Sequence, residues 1–220
     1  MSLLPLLLTL LAVQDNPAVA APSPNGDAVA RWQGGSLEAA RYERFLGRTF
    51  RGKRLGQEAL SHLLQVELVR REAASLGLVA PKAEVEVRMA KARKAADQMG
   101  TSLRTLVKER GLTLDGFRDL LRDSIFHEML VRRDLGLPEG ADPLPTQLHE
   151  WTAERIRSLL EASAGAPPGM AIQHGSWAVT EAEVGAVIRA SLPDVRNQEY
   201  LEQLVLQIHL PTWGAEKGLV

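Results

Sequence analysis

The sequence contains a partial internal repeat, and this repeat restricts the fold more than any other feature. Residues 34–79 and 175–220 share one order: a cap, a helix, a break, a leucine-rich helix and Gly-Leu-Val. At an offset of 141 residues, Leu60, Leu63, Leu64, Gly77, Leu78 and Val79 correspond to Leu201, Leu204, Val205, Gly218, Leu219 and Val220. Two amphipathic helical hairpins can also resemble each other without being repeats. Either the chain is truncated after a second copy has begun, or the second copy is short and docks on the first.

Two details of the repeat lead to further expectations. The predicted caps Ser36 and Thr180 are 144 residues apart, so three residues have shifted in the loop that follows. Pro211 lies inside the second leucine-rich helix and should kink or end it. Pairing of the strand candidates Val29–Trp32 and Ala171–His174 is one way for the two copies to dock.

Composition favours helices over a β-sandwich or barrel. The chain is 45% hydrophobic and 24% charged, which is ordinary for a globular protein, but only 5% aromatic. Ala, Leu, Arg and Glu are abundant, and these residues favour helices. We predict a mainly α fold: a helical domain with short β-strand pairing, then a linker helix and a partial second helical hairpin.

Several helix ends are marked by their residue types. Ser36 and Thr113 are predicted N-caps, and Thr180 with Glu183 forms a capping box. Gly77 stands where a helix needs a left-handed residue to end. The helix after Pro81 carries a narrow apolar seam, typical of a helix that packs on another: Val85, Met89, Ala92, Ala96 and Met99.

The N-terminus has the pattern of a secretory signal peptide. The apolar run Leu3–Val13 is followed by a polar break and by Ala18-Val19-Ala20, which predicts cleavage after Ala20. The run is too short to cross ~30 Å of hydrocarbon as a helix. Its flank lacks a basic residue, so an ordinary buried segment is the alternative. We expect a periplasmic or otherwise extracytoplasmic protein, and with no cysteine it must be held together by its core.

No catalytic or metal-binding pattern is visible in the sequence. The five histidines are scattered without the spacing of metal ligands. The chain has no nucleophile elbow and no glycine-rich phosphate loop. We therefore predict a protein that is not an enzyme, without cofactor or metal.

Charge is distributed unevenly along the chain. Residues 28–113 carry 17 Lys/Arg and 9 Asp/Glu, whereas residues 114–220 carry 9 and 16. Either the two halves attract each other across a contact, or the basic half steers an acidic partner or a membrane surface. Nucleic acid is the poorest candidate partner, because the basic positions lack stacking aromatic residues.

The order of elements from Val29 to Leu137 carries a resemblance to a known family. A short strand and a Ser36-capped helix precede EALSHLLQVELVRREAASLGLVAPKAEVEVRMAKA and then MGTSLRTLVKERGLTLDGFRDLLRDSIFHEMLVRRDLG. This order resembles the N-terminal domain of the SurA-type periplasmic chaperones, a family that includes the parvulin-type peptidyl-prolyl isomerases SurA, PrsA and PpiD. The resemblance implies a helical domain that holds unfolded or outer-membrane-bound polypeptides in apolar grooves between helices.

Candidate client-binding residues lie on the helices of this resembling region. Methionine is flexible and polarizable, so it adapts to varied clients, although a core position is the favoured explanation for each methionine. The candidates are Val85, Met89, Met99, Phe117 and Met129.

In that family a parvulin domain usually follows, but here Pro138–Gly169 offers only one helix and two linkers. The predicted segments are a signal peptide (1–20), a linker (21–27), a SurA-N-like domain (28–137), a linker with one helix (138–169) and a partial repeat (170–220). The predicted function is an exported chaperone for unfolded polypeptides, with no nucleic-acid partner and no permanent membrane span. The alternatives are an isomerase relative whose catalytic domain is missing or lies beyond the chain, and a structural module for one fixed partner.

Overall fold

The computed structural model of the protein describes residues 28–32, 35–109, 112–138 and 140–216. The predicted signal peptide, the linker 21–27 and the repeat positions Gly218, Leu219 and Val220 lie outside these residues. The described residues are mainly helical, as predicted, with two small antiparallel strand pairs. The strands are β1 (Ala28–Trp32), β2 (Gly35–Glu38), β3 (Met170–His174) and β4 (Trp177–Thr180). The helices are α1 (Ala39–Thr49), α2 (Arg54–Ser75), α3 (Lys82–Gln98), α4 (Leu103–Glu109), α5 (Leu114–Asp134), α6 (Pro145–Ala162), α7 (Glu181–Ser191) and α8 (Asp194–Glu216).

Contacts divide the chain into two compact units. Unit 1 contains Ser61–Ala162, and unit 2 contains the described residues up to Leu60 together with those from Ser163 onward. Helix α2 contributes to both units. The grouping follows contacts rather than the linear order of the predicted segments.

A strand pair followed by two helices occurs twice along the chain, although most of the second helix of the first copy, α2, belongs to unit 1. In the first copy Ala28 pairs with Glu38 and Trp32 with Gly35, and in the second Met170 pairs with Thr180 and His174 with Trp177. Both pairs have an irregularity at the corresponding position, between Ala28 and Ala30 and between Met170 and Ile172. The predicted pairing of Val29–Trp32 with Ala171–His174 is therefore wrong. Each strand pairs with its neighbour in sequence, because closing a short loop costs less entropy than closing a long one.

The predicted alignment of the two copies also needs correction. Ser36 does not cap a helix but lies in β2, and α1 is preceded by Glu38, whose side chain makes no cap hydrogen bond. Strands and first helices of the two copies are 142 residues apart, so Thr180 corresponds to Glu38 rather than to Ser36. The cap prediction for Ser36 failed because residues 35–38 form a strand. Successive side chains of a strand point to opposite faces, so Leu37 is buried between two exposed neighbours.

The predicted helix ends at Thr113, Thr180 and Gly77 are confirmed. Thr113 Oγ1 accepts a hydrogen bond from the Gly116 N–H at 3.0 Å. The capping box at Thr180 is complete, with Glu183 N–H donating to Thr180 Oγ1 at 3.1 Å. Gly77 ends α2 at a φ of 62°. Helix α8 continues past Pro211 to Glu216, so the proline does not end it.

Helices α1 and α7 of unit 2 cross without room for side chains at the contact. A Cβ atom added to Gly185 would lie 1.7 Å from the Glu43 carbonyl oxygen, and one added to Gly47 would lie 1.9 Å from the Glu181 carbonyl oxygen. Glycine at both positions therefore sets the distance between the helices. Charge supports the same contact, since Arg189 Nη1 donates to Glu43 Oε1 at 3.1 Å.

The core of unit 1 is built from one side of each of three helices, α3, α4 and α5. Its fully or nearly buried residues form one cluster: Val85, Met89, Ala92, Ala96, Leu103, Val107, Leu121 and Ile125. The predicted seam of α3 thus packs on neighbouring helices, except for Met99, which is 53% exposed. Arg88 stabilises the pairing of α3 with α5 by donating to Glu128 Oε1 at 2.7 Å.

We predict that Gly185→Ala destabilises unit 2, because the added methyl group would overlap backbone that cannot rotate away. The expected loss is roughly 2 kcal/mol or more in the free energy of unfolding. Chemical denaturation monitored by tryptophan fluorescence measures it. Gly165→Ala is the matched control, since a Cβ there meets nothing within 4 Å. Equal stability of the two variants would refute the steric account of the crossing.

Candidate functional site

The five predicted client-binding residues do not line a common groove. Val85 and Met89 are 3% and 0% exposed, inside the core of unit 1. Phe117 and Met129 are partly buried and pack against the same cluster. Only Met99 is well exposed, immediately after the end of α3. The space between α3, α4 and α5 is therefore filled by the protein's own side chains.

An open groove lies elsewhere in unit 1, between α2 and α6. Its cavity volume is about 440 Å³. Ser61 and Gln65 line it from α2. The residues that line it from α6 are His149, Thr152, Ala153, Ile156, Arg157, Leu160 and Glu161. A cavity of this size falls in the range of small-molecule sites.

Helix α6 is attached to α5 through one carboxylate of α5. Trp151 Nε1 donates to Asp134 Oδ2 at 2.9 Å, and Arg155 Nη2 donates to the same oxygen at 2.5 Å. The Arg155 guanidinium also lies over the Trp151 ring, 4.0 Å from its centre. These contacts fix the rotation of α6 about its own axis, and the rotation decides which side chains face the groove.

A second contact between α5 and α6 involves Thr152, which also lines the groove. The Thr152 hydroxyl donates to the Leu148 carbonyl oxygen at 3.0 Å and lies 2.9 Å from His127 Nε2. Because the hydroxyl proton is directed at Leu148, the oxygen is left to accept a hydrogen bond from the His127 ring. Thr152 is one of the few buried polar residues of the described chain. Its hydrogen bonds keep the groove floor in place.

The groove combines an apolar floor with polar groups that have no side-chain partner among the described residues. Ile156 is buried, and Ala153 and Leu160 are half-buried beside it. The half-buried amide of Gln65 makes no side-chain hydrogen bond among the described residues, and Arg157 and Glu161 form no ion pair there. A few polar groups around an apolar surface are typical of a binding site, because they orient what the apolar surface attracts.

Two histidines near the groove are shifted towards the neutral state. Burial lowers the pKa of His62, which is next to Ser61 on α2. Burial also lowers the pKa of His127, against the smaller opposing influence of the Leu148 carbonyl. Neither shift creates a catalytic pair. In the described ranges, no three His, Asp or Glu side chains are grouped closely enough to hold a metal ion.

Sequence reasoning missed the groove because it treated 138–169 mainly as a linker. The signal was present in the periodicity of α6, where buried or half-buried residues recur at steps of three and four. These residues are Leu148, Trp151, Thr152, Ile156 and Leu159. A helix with such a stripe packs on a neighbour, and here its edge forms one wall of the groove.

Comparison of the chain with protein families, with curated proteins and with solved structures finds no match. Among the described helices, none is both long enough and apolar enough to cross a membrane.

We predict that unit 1 loses stability as the pH falls below about 6.5. His62 and His127 have lowered pKa values in the folded state, so the unfolded chain binds protons first. Stability is then fully present above the unfolded pKa and declines below it, by at most ~1.4 kcal/mol per pH unit for each histidine. Urea unfolding at about pH 7.5 and about pH 5 measures the decline. His127→Gln should reduce this pH dependence, and unchanged pH dependence in that variant would contradict the explanation.

Proposed function

We propose that the protein is an exported, chaperone-like protein that binds segments of unfolded polypeptide in the groove between α2 and α6. The open groove, with its apolar floor and unused polar groups, is the observation that carries this proposal. Binding through a groove between helices is also what the resemblance to the SurA-type chaperones implies. The proposed groove differs from the one first expected, because the core of α3, α4 and α5 has no free space.

The polar groups of the groove favour a polypeptide over other ligands. An amide side chain offers one acceptor and a pair of donors, which matches the C=O and N–H of a peptide bond. Gln65 is placed to make this interaction with the main chain of a client, irrespective of client sequence. The floor at Ala153 and Ile156 would then accept an apolar client side chain.

The charged rim of the groove is compatible with varied clients. Arg157 and Glu161 carry opposite charges one helical turn apart and are exposed, so either sign on a client can be accommodated. Surface pairs of this kind contribute about 0–1 kcal/mol each. Selectivity from the rim is therefore weak, as a general chaperone requires. A module for one fixed partner would be expected to use stronger and more specific contacts.

We predict that Ala153→Trp weakens the binding of unfolded clients by about tenfold or more, because the indole would occupy the groove; this corresponds to ~1.4 kcal/mol. Fluorescence anisotropy of labelled, unrelated unfolded polypeptides measures the affinity, and light scattering measures suppression of client aggregation. Ser158→Trp is the matched control, since Ser158 is exposed on the same helix and does not line the groove.

Gln65→Leu tests the amide separately from the volume of the groove. Loss of its hydrogen bonds should reduce affinity about threefold to tenfold for every client, at about 1 kcal/mol per bond. Gln57→Leu, on the exposed side of the same helix, is the control. Unchanged affinities in both groove variants would exclude this groove as the client site. Binding of a single folded partner, with no effect on unfolded clients, would favour the structural module.

A further inference from the structure

Helix α8 is held in unit 2 by one of its faces. The Tyr42 hydroxyl of α1 donates to the Asn197 carbonyl oxygen at 2.8 Å. One turn further along α8, the Tyr200 ring lies edge-on to Phe50, with 5.3 Å between the ring centres. Leu204 continues this face and is buried. The face that carries these residues therefore packs against α1 and against Phe50, which directly follows α1.

Two leucines lie on the opposite face of α8 and are exposed. A helix turns by about 100° per residue, so Leu206 points roughly 200° away from Leu204, and Leu210 lies one turn beyond Leu206. Leu206 is 60% exposed and Leu210 is 56% exposed. Residues 203–215 contain no Lys, Arg, Asp or Glu. Leu206 and Leu210, here called the α8 patch, thus form an exposed apolar surface in an uncharged part of the helix.

An aromatic residue lies at the edge of the α8 patch. His209 follows Leu206 by three positions, so the two side chains are neighbours on the helix surface. The His209 ring contacts the half-buried Trp32 of β1, with 4.9 Å between the ring centres. The centre of a protein–protein interface is typically depleted of charged residues and enriched in aromatic ones. The composition of this surface is therefore that of an interface rather than of a solvated helix face.

The internal repeat indicates that a helix covers this kind of face. At the offset of 141 residues that aligns the leucine-rich helices, Leu206 corresponds to Gln65 of α2 and Leu210 corresponds to Val69. Val69 is 3% exposed inside unit 1, and Gln65 lines the groove beside α6. The equivalent face of α2 is thus packed in a helical unit. Among the described residues, α8 has no such neighbour on this face, because both of its leucines are exposed.

We propose that the α8 patch binds the α8 patch of a second copy of this chain, with the two α8 helices antiparallel. A second copy presents the same uncharged leucine face, so each patch covers the other. Charge favours the antiparallel orientation. Glu199 and Glu202 are exposed in the first half of α8, and a parallel pair would place each beside its equivalent. An antiparallel pair keeps these glutamates at opposite ends and lets Leu206 of one copy face Leu210 of the other.

Sedimentation velocity of the full chain over a concentration series tests the proposal. The patch is small, so we expect a monomer–dimer equilibrium with a Kd of roughly micromolar or weaker. Leu206→Ser with Leu210→Ser should weaken the association about tenfold or more. Val195→Ser is the matched control, because Val195 is 72% exposed on the same helix but lies outside the paired segment. Every variant retains the Leu3–Val13 run, and circular dichroism confirms that each is folded.

The orientation of the two helices can be measured separately, because the chain contains no cysteine that would compete for a label. Glu199 lies about nine residues before the centre of the pair, so spin labels on Glu199→Cys should be roughly 25–30 Å apart in an antiparallel dimer. A parallel pair would bring them to about 10 Å. The proposal is overturned by a wild-type chain that stays monomeric, by serine substitutions that leave the dimer intact, or by the short label distance. Loss of client binding with unchanged self-association would also overturn it, and would assign the α8 patch to clients.

Discussion

The close crossing of α1 and α7 is the contact on which unit 2 depends, because it joins two segments that are far apart in sequence. Gly47 and Gly185 allow the backbones to touch, and Glu181 lies beside the contact with 2% of its surface exposed. Arg48 and Arg51 approach this carboxylate at 3.5 and 3.6 Å. Burying a carboxylate without cationic partners costs free energy, so these arginines offset that cost rather than add net stability to the crossing. The main contribution comes from the packing that the glycines permit.

The crossing explains why both copies of the repeat belong to one unit. An isolated two-stranded hairpin is marginally stable at best, so each strand pair needs helices packed against it. Gly185 lies against Glu43, and these residues occupy equivalent positions of the two copies. Complementary charge reinforces the pairing: residues 28–60 carry seven Lys/Arg and three Asp/Glu, whereas residues 163–216 carry two and six. Part of the uneven charge of the sequence is thus balanced by opposite charge inside unit 2.

Local signals in the sequence were sufficient for helix ends and for the helical class, but not for tertiary placement. Thr113, Thr180 and Gly77 act through neighbours within a few residues, so their roles can be predicted without the fold. Ser36 has the same residue type as a cap, yet strand pairing with Arg31 competes for that segment and prevails. Met89 and Met99 belong to one predicted seam, and only packing decides that the first is buried and the second exposed. The groove requires knowledge of how α6 is rotated against α5, which depends on Asp134.

In unit 1 the residues of the apolar core are different from those of the proposed binding groove, and this limits how the unit would work as a chaperone. Its apolar core is closed, so the proposed client contact would fall to a groove that accommodates only a few residues. A site of that size binds weakly, since the apolar area it can cover is small and ordering a client segment costs conformational entropy. Weak binding suits a chaperone that must release its clients.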